Sequence, residues 1–441
     1  MSAFTVIGKG GREHALATLL ARTQTVYSFG GSDAIRAIAP ALDSGRSVAL
    51  DRPLEDADLD ALLSQPDSTL VFGPEQPMAA GWVDQIRLKN SDVHILGPNQ
   101  FAAQLESSKW WAKEFMIRNS IPTGEAVRIK SIADFDRAAL RFEPPYVVKA
   151  DGLAAGKGVA LFDDVAPARE FVDGIVSGDL FGTPQPALVE EFLKGPELSI
   201  FLLLDGQRAM QIGTARDYKR AYDGDAGPNT GGMGSFTPVP DISAADQETI
   251  HKSVLRPILE GLQRDGIFYR GFLYVGLIRT QHGFRVLEFN VRMGDPETQA
   301  VLPTIGDDLP NLLEWAAAGQ LDRCAELSNV EQEEENFYRL QPQHAAVCVV
   351  LSTPEYPGSS NGSQPLPDLD TQTAQLPQGH YLFHAGTRQD QGEWHTHGGR
   401  VLNCVATGSS VPAARNSCYA LIEQLRDLPL RHRSDIAAAI E

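Results

Sequence analysis

Between Val286 and Arg292 the chain alternates without a break: Leu287, Phe289 and Val291 are apolar, while Glu288, Asn290 and Arg292 are polar. A period of two belongs to a strand whose side chains point alternately to opposite faces. The apolar set is therefore expected on a core, and the polar set toward water or a ligand. A carboxylate and a carboxamide two residues apart are hard oxygen donors, of the kind Mg²⁺ takes when it is shared with phosphates. Arg292, next on that face, can clamp a phosphate or carboxylate with two parallel hydrogen bonds. An amphipathic strand with a wetted face is the plainer reading; the clean apolar face and the Gly294-Asp295-Pro296 turn that follows weigh against it.

Tyr146-Val-Val-Lys149 leads into a glycine-rich run ending in Gly156-Lys157-Gly158-Val159. This reads as strand, flexible loop, strand. Phosphates call for mobile backbone N–H donors and compact positive charge, and the loop with its two lysines provides both. It is no Walker A loop, because the glycine spacing is short by one and Gly158 stands where Ser or Thr is needed. A solvated hairpin with two surface lysines is the alternative. From Val189 an apolar strand feeds Glu190, Glu191 and Phe192, with Glu197 beyond a turn. Such carboxylates can accept from an adenine amino group or ribose hydroxyls, although exposed glutamate pairs are common. Asp217-Tyr-Lys219-Arg220 precedes the run Gly227 to Gly234, which includes Gly231 and Gly232. So many glycines are expected to exclude a regular element and leave a loop, whether ligand-approaching or a linker.

The first hundred residues alternate short apolar runs with helical periodicity, which predicts a βαβ pattern and a mostly parallel sheet. Phe4–Ile7 reads as the first strand, and Gly8-Lys-Gly10-Gly11-Arg12-Glu13-His14 turns the chain into a helix. Backbone N–H groups at such a helix start can hold an anion. A dinucleotide fingerprint needs glycine at Glu13 and an acidic residue ending the second strand, where Phe29-Gly30-Gly31 stands instead. NAD is thereby disfavoured. A phosphate or carboxylate site and a tight structural turn both remain open.

At 441 residues the chain exceeds one ordinary core, and about three domains are expected. A helix carrying Lys109 and Lys113 opens the middle segment, the acidic stretch Glu331–Asn336 reads as a linker, and Ala345–Leu351 reads as a strand opening a third segment. The loop from Pro357 to Pro377 is polar and glycine-rich, and a final helix shows Ala414, Cys418, Leu421 and Leu425 on one face. The net charge of −19 opposes nucleic acid or an anionic membrane as main partner. Four scattered cysteines suit a reducing compartment and argue against a zinc or disulfide framework. With no leader and no spanning apolar run recognisable, a cytoplasmic protein is expected.

Taken together, these motifs resemble the ATP-grasp superfamily and, within it, the phosphoribosylamine–glycine ligases. The resemblance runs the length of the chain. It includes Gly73-Pro-Glu-x-Pro, Gly97-Pro98, Glu106-Ser-Ser-Lys109, Lys149 to Val159, Pro228 to Gly234, Glu288 to Gln299, Phe383 to Thr387 and Gly398-Gly-Arg-Val401. The sequence departs from the usual pattern at Phe29-Gly30-Gly31, Arg216, Ala226 and the tail after Arg433. The resemblance implies a multidomain α/β and α+β fold: a Rossmann-like N-terminal substrate domain over 1–104, an ATP-grasp domain over 105–325 with a mobile lid over about 125–195, and a small C-terminal domain over 326–441. It implies ATP as co-substrate, with Lys109, Lys149, Gly156, Lys157 and Gly158 at the phosphates. Glu190, Glu191 and Phe192 would lie at adenine and Glu197 at ribose. Glu288 and Asn290 would ligate Mg²⁺ or Mn²⁺. Catalytic roles fall to Arg292, Lys149, Asp217 and Lys219. Glycine and 5-phosphoribosylamine would meet Gly10, Gly11, Arg12, Glu13, His14, Asp217, Arg220, Gly231, Gly232, Arg292 and Asp295. The implied reaction activates glycine as glycyl phosphate and passes it to the amine, in a monomer or weak homodimer. A sister ligase with another acceptor, a catalytically weakened paralogue and a non-catalytic nucleotide-binding regulator are the rival readings.

Overall fold

The computed structural model describes residues 3–153, 158–359 and 362–440. Thr25–Phe29, Ala3–Ile7, Ser68–Phe72 and Ile95–Leu96 pair in that order as a wholly parallel sheet. Parallel strands are covered on both faces, which is why these segments read as continuous apolar runs. Phe4, Val6, Ile7 and Phe29 are accordingly buried. The helix Gly11–Leu20 follows the first strand directly, as the glycine turn predicts.

A second sheet of four antiparallel strands orders Ala126–Ile129, Ala187–Glu190, Tyr146–Ala150 and Val159–Phe162. Helices Ile132–Ala138 and Val165–Ser177 cover one face with Phe135, Ala168, Val172 and Ile175, giving this unit a core of its own. The loop between its last two strands carries Gly156 and Lys157, which lie outside the described residues.

The largest sheet runs Gly283–Asn290, Arg270–Thr280, Glu197–Asp205, Ala209–Asp217, Gly234–Thr237, Ala345–Ser352, Arg400–Gly408 and His380–His384. It passes from the middle segment into the C-terminal one through the pairing of Gly234–Thr237 with Ala346–Val349. Helix Glu297–Ile305, buried along its whole length, packs against it. The final helix Val411–Gln424 turns Ala414, Cys418, Leu421 and Leu425 into the core, as its periodicity requires.

Three expectations need correction. The acidic stretch 331–336 is no linker: Val330–Glu334 pairs with Phe337–Leu340 as a hairpin. Its acids are matched by Arg339, which bridges Glu331 at 2.9 Å and Glu333 at 3.0 Å, so a like-charge run is stable once cross-strand cations face it. The glycine-rich run is not wholly loop, since Ala226–Asn229 pairs with Arg220–Tyr222 and Gly234 opens a strand. The polar loop after Pro357 holds the short helix Leu369–Ala374. Among the described residues no helix is long and apolar enough to cross a membrane.

Candidate active site

A cavity of about 400 Å³ opens where the three sheets approach one another. The helix Lys109–Arg118 contributes Lys109 and Lys113, and the four-stranded antiparallel unit contributes Lys149, Gly158 and Glu190. The large sheet supplies Asp217, Tyr274, Glu288 and Asn290, and the turn beyond it Arg292, Asp295 and Glu297. Arg12 and Glu75 reach in from the parallel sheet, and Arg400 from the C-terminal segment.

Glu288 and Asn290 share the cavity face, with the Asn290 amide 3.4 Å from a Glu288 oxygen. The alternation that predicts this is broken once. Gly276 pairs with Glu288 but Leu277 pairs with Val286, so Leu287 is an extra residue in a β-bulge. A bulge shifts the phase of everything on one side of it. Val286, Phe289 and Val291 therefore enter the core, while Leu287 lines the cavity instead of joining them.

Positive charge faces this pair. The Lys149 ammonium lies 3.0 Å from Glu190, which Lys113 also reaches at 3.4 Å. The Lys109 ammonium donates to the Gly152 carbonyl at 2.9 Å. Burial works to raise the Glu288 carboxyl, but Lys219, Lys149 and Lys109 outweigh it and hold the group below the usual carboxylate range. Burial pulls Lys109 and Lys113 down. Lys149 is also penalised by burial, yet Glu190 and Glu288 lift it above the ordinary lysine value. Cations and carboxylates line the cavity in equal number, so a polyphosphate is suited to the lysines gathered there when it arrives with a divalent ion that the carboxylate–carboxamide pair can share. Among the described residues no three His, Cys, Asp or Glu converge as a self-sufficient metal cage. An ion at Glu288 and Asn290 thus needs oxygens from its ligand, as Mg²⁺ shared with phosphates does.

Family models described as the N domain, the ATP-grasp (A) domain and the C domain of phosphoribosylglycinamide synthetase match residues 3–106, 107–298 and 346–439. The chain belongs to the phosphoribosylglycinamide synthetase family. A phosphoribosylamine–glycine ligase of Streptomyces coelicolor is 39% identical, with 98% of each chain covered. The crystal structure of phosphoribosylamine–glycine ligase from Thermotoga maritima superposes with a TM-score of 0.80 at 30% identity, covering 99% of this chain and 100% of that one. The biotin carboxylase domain of Hydrogenobacter thermophilus 2-oxoglutarate carboxylase shares the fold, with a TM-score of 0.70 at 14% identity over 98% and 91% of the chains. The chain is accordingly an ATP-dependent ligase with the three-domain architecture of its family.

Lys109, Lys149, Gly158, Glu190, Asp217, Lys219, Gly231, Glu288, Asn290, Arg292, Asp295 and Arg12 line one cavity. Other expected residues stand off it. Glu191 turns outward and accepts from the Glu125 N–H at 3.1 Å, Phe192 is exposed, and the Arg220 guanidinium donates to the Gly227 carbonyl within its own hairpin. Glu197 is half exposed and pairs with Lys219, which also meets Asp217 at 3.3 Å. Gly232 lies behind Gly231, whose carbonyl accepts from Arg400 at 2.6 Å.

The N-terminal glycine turn is satisfied from within. The Gly10 N–H donates to Glu13 at 2.6 Å, and Arg12 donates to the same carboxylate at 2.6 Å. Glu13 is sheathed so closely that a Cβ at Gly73 would collide with it. Gly11 abuts Asn403 and Gln299, and His14 accepts the His384 N–H at 3.0 Å. Gly11, Arg12 and His14 join the N-terminal segment to the others, and only Arg12 of the five lines the main cavity.

Arg292 is likewise more committed than its sequence position suggests. Glu75 accepts from it at 3.1 Å and Glu106 at 2.7 Å, while Glu106 also takes the Val291 N–H at 2.8 Å. Glu75, Glu106, Tyr274, Glu297 and Arg400 were not expected as site residues. The motifs Gly73-Pro-Glu and Glu106-Ser-Ser-Lys109 were the available signal for the first two, and Gly398-Gly-Arg for the last.

Proposed function

We propose that this chain ligates glycine to 5-phosphoribosylamine through glycyl phosphate, forming glycinamide ribonucleotide, ADP and phosphate in de novo purine biosynthesis. The observation that carries the reading is the meeting of Glu288 and Asn290 with Lys109 and Lys149 in one cavity. A carboxylate is a poor electrophile, and phosphorylation provides it with a leaving group. The protein's work is then positioning and charge neutralisation. Lys109 and Lys149 hold the triphosphate, and Leu287 offers an apolar wall to the base. Glu190, whose charge Lys149 and Lys113 balance, is the acceptor for its amino group. Glu288 and Asn290 would hold Mg²⁺ or Mn²⁺, which supplies further neutralisation of phosphoryl charge when bound. Asp217, Lys219, Gly231, Arg292 and Asp295 form the side where the amino acid and the amine are received. Closure of the antiparallel unit over the cavity protects an acyl phosphate from water. The net charge of −19 suits an enzyme that handles small molecules rather than nucleic acid, and we read it as cytoplasmic and as a monomer or weak homodimer.

A coupled assay of ADP release with freshly generated phosphoribosylamine tests this. Glycine should stand alone among a panel of amino acids, and phosphoribosylamine among amines. Equal turnover with other acceptors would assign the chain to a sister reaction.

A further inference from the structure

Among the described residues Glu297 is the one buried carboxylate of the cavity without an ion-pair partner; the hydrogen bond it has comes from its own backbone N–H. It opens helix Glu297–Ile305 and is 5% exposed. Its side chain folds back so tightly over the preceding turn that Gly294 has no room for a Cβ beside it. Among the described residues no lysine, arginine or histidine nitrogen comes within ion-pair distance of it, and no side chain hydrogen-bonds to it. The other acids behave differently. Glu75 and Glu106 share Arg292, Glu190 has Lys149, Asp217 has Lys219 and Asp295 has Arg400 at 3.3 Å. Glu288 faces the open cavity beside Asn290. A buried carboxylate without a counter-ion is costly, and one backbone N–H offsets only part of that cost, so the group either takes a proton or awaits a cation.

Its neighbours sharpen the point. Burial and the nearby Asp217 push the Glu297 carboxyl up to about 8. Asp217 is raised as well, by burial first, although Lys219 opposes it. Lys219 is itself divided between Asp217 and Glu197. Two carboxylates therefore face the cavity with less than one protein ammonium between them. Arg292 and Arg400 line the same cavity with the opposite sign.

We infer that Glu297, with Asp217 beside it, is the seat for the ammonium group of the amino-acid substrate. The inference rests on the ligase reading and deepens it. An ammonium is a compact three-donor cation, which two adjacent buried acids can receive together. The substrate's carboxylate is then directed to the arginine side. Specificity follows from the same charge. A hydroxyl in place of the ammonium leaves Glu297 and Asp217 uncompensated, so glycolate should be refused although it fits by size.

The test uses full-length enzyme with saturating ATP and phosphoribosylamine, following ADP release against glycine and against glycolate. For Glu297→Gln the KM for glycine is expected to rise at least tenfold while that for ATP stays within twofold, and the preference for glycine over glycolate should collapse by at least tenfold. Glu297→Asp should recover part of both. An unchanged glycine KM with only kcat lowered, or an unchanged glycine-to-glycolate ratio, overturns the inference and leaves the ligase reading standing. Wild-type enzyme holding a non-hydrolysable ATP analogue gives a check that needs no variant. Glycine should raise its unfolding temperature and glycolate should not, and equal shifts overturn the assignment. Absence of ADP release by wild-type enzyme with glycine and phosphoribosylamine would reject the ligase reading itself, and this inference with it.

Discussion

The carboxylate of Glu288 is held ionised by three lysines drawn from different elements, so its removal should be felt chemically before it is felt structurally. Glu288→Ala is expected to cut ADP release by roughly a hundredfold or more, the scale of losing a preorganised charge-stabilising group. Its unfolding transition should stay close to wild type, because the side chain faces an open cavity. Near-normal turnover in the variant would remove Glu288 from the metal assignment. Lys149→Ala differs, because it also strips Glu190 of its nearer cation. The KM for ATP should rise by about tenfold or more, with a stability loss of about 2 kcal/mol from the half-unpaired buried acid. ATP kinetics identical to wild type would place Lys149 outside the nucleotide site. Both residues were legible in the sequence for a physical reason: one sits in a period-two pattern and the other before a glycine loop. Glu75, Glu106 and Glu297 lie within motifs of the resemblance, but no periodicity or glycine loop beside them marks what they do. Glu75 and Glu106 acquire meaning from Arg292, about two hundred residues away in the chain, and Glu297 from the lack of any such partner. Those facts exist only after folding.

At the scale of elements, periodicity located strands well and misjudged their interruptions. The Gly283–Asn290 strand was visible, but the bulge at Leu287 was not, because an apolar residue is equally at home in a core and on a cavity wall. The acidic hairpin 330–340 was hidden for the opposite reason, since charge density resembles a linker until Arg339 is placed across from it. A third element, the C-terminal tail, acts through the hairpin 220–229. Arg433 is 1% exposed; it donates to the Arg220 carbonyl at 3.0 Å, to Asp225 at 2.9 Å and to Asp435 at 2.7 Å. The Ala437 N–H donates to the Tyr218 hydroxyl at 2.9 Å. The segment from Asp217 to Gly231, which lines the cavity, is thus braced from behind by the last ten residues. Arg433→Ala should lower stability by about 2 kcal/mol, chiefly through the orphaned carbonyl and the lost packing, since Asp225 is largely solvated and contributes little. The KM for the amine or the amino acid should rise severalfold while that for ATP holds. A uniform loss across all substrates would mean that the tail supports the fold without aiming the loop.

For the molecule as a whole, the large sheet makes the middle and C-terminal segments one piece, whereas the parallel sheet docks by side chains and single backbone bonds. Arg12 donates to the Met293 carbonyl at 3.0 Å, the Gly97 N–H to the Arg270 carbonyl at 3.0 Å, and the His384 N–H to His14. The last of these depends on pH. His14 accepts through Nδ1, which therefore carries no proton, and it packs edge-on to His384. Burial, with His384 adding to it, lowers His14 from 6.5 to about 3, and burial lowers His384 to about 4. The unfolded chain protonates both near 6.5, so below that pH it holds more protons than the folded one. Folding stability is therefore complete above about pH 6.5 and falls as pH drops toward 4, by up to about 1.4 kcal/mol per histidine per pH unit. His14→Asn keeps an acceptor for the His384 N–H and cannot be protonated. Its urea midpoint should fall less steeply than wild type between pH 6.5 and 5, with the two curves parallel above pH 7. Equal slopes in the acid range would show that this buried pair does not govern how the N-terminal sheet is held to the rest of the enzyme.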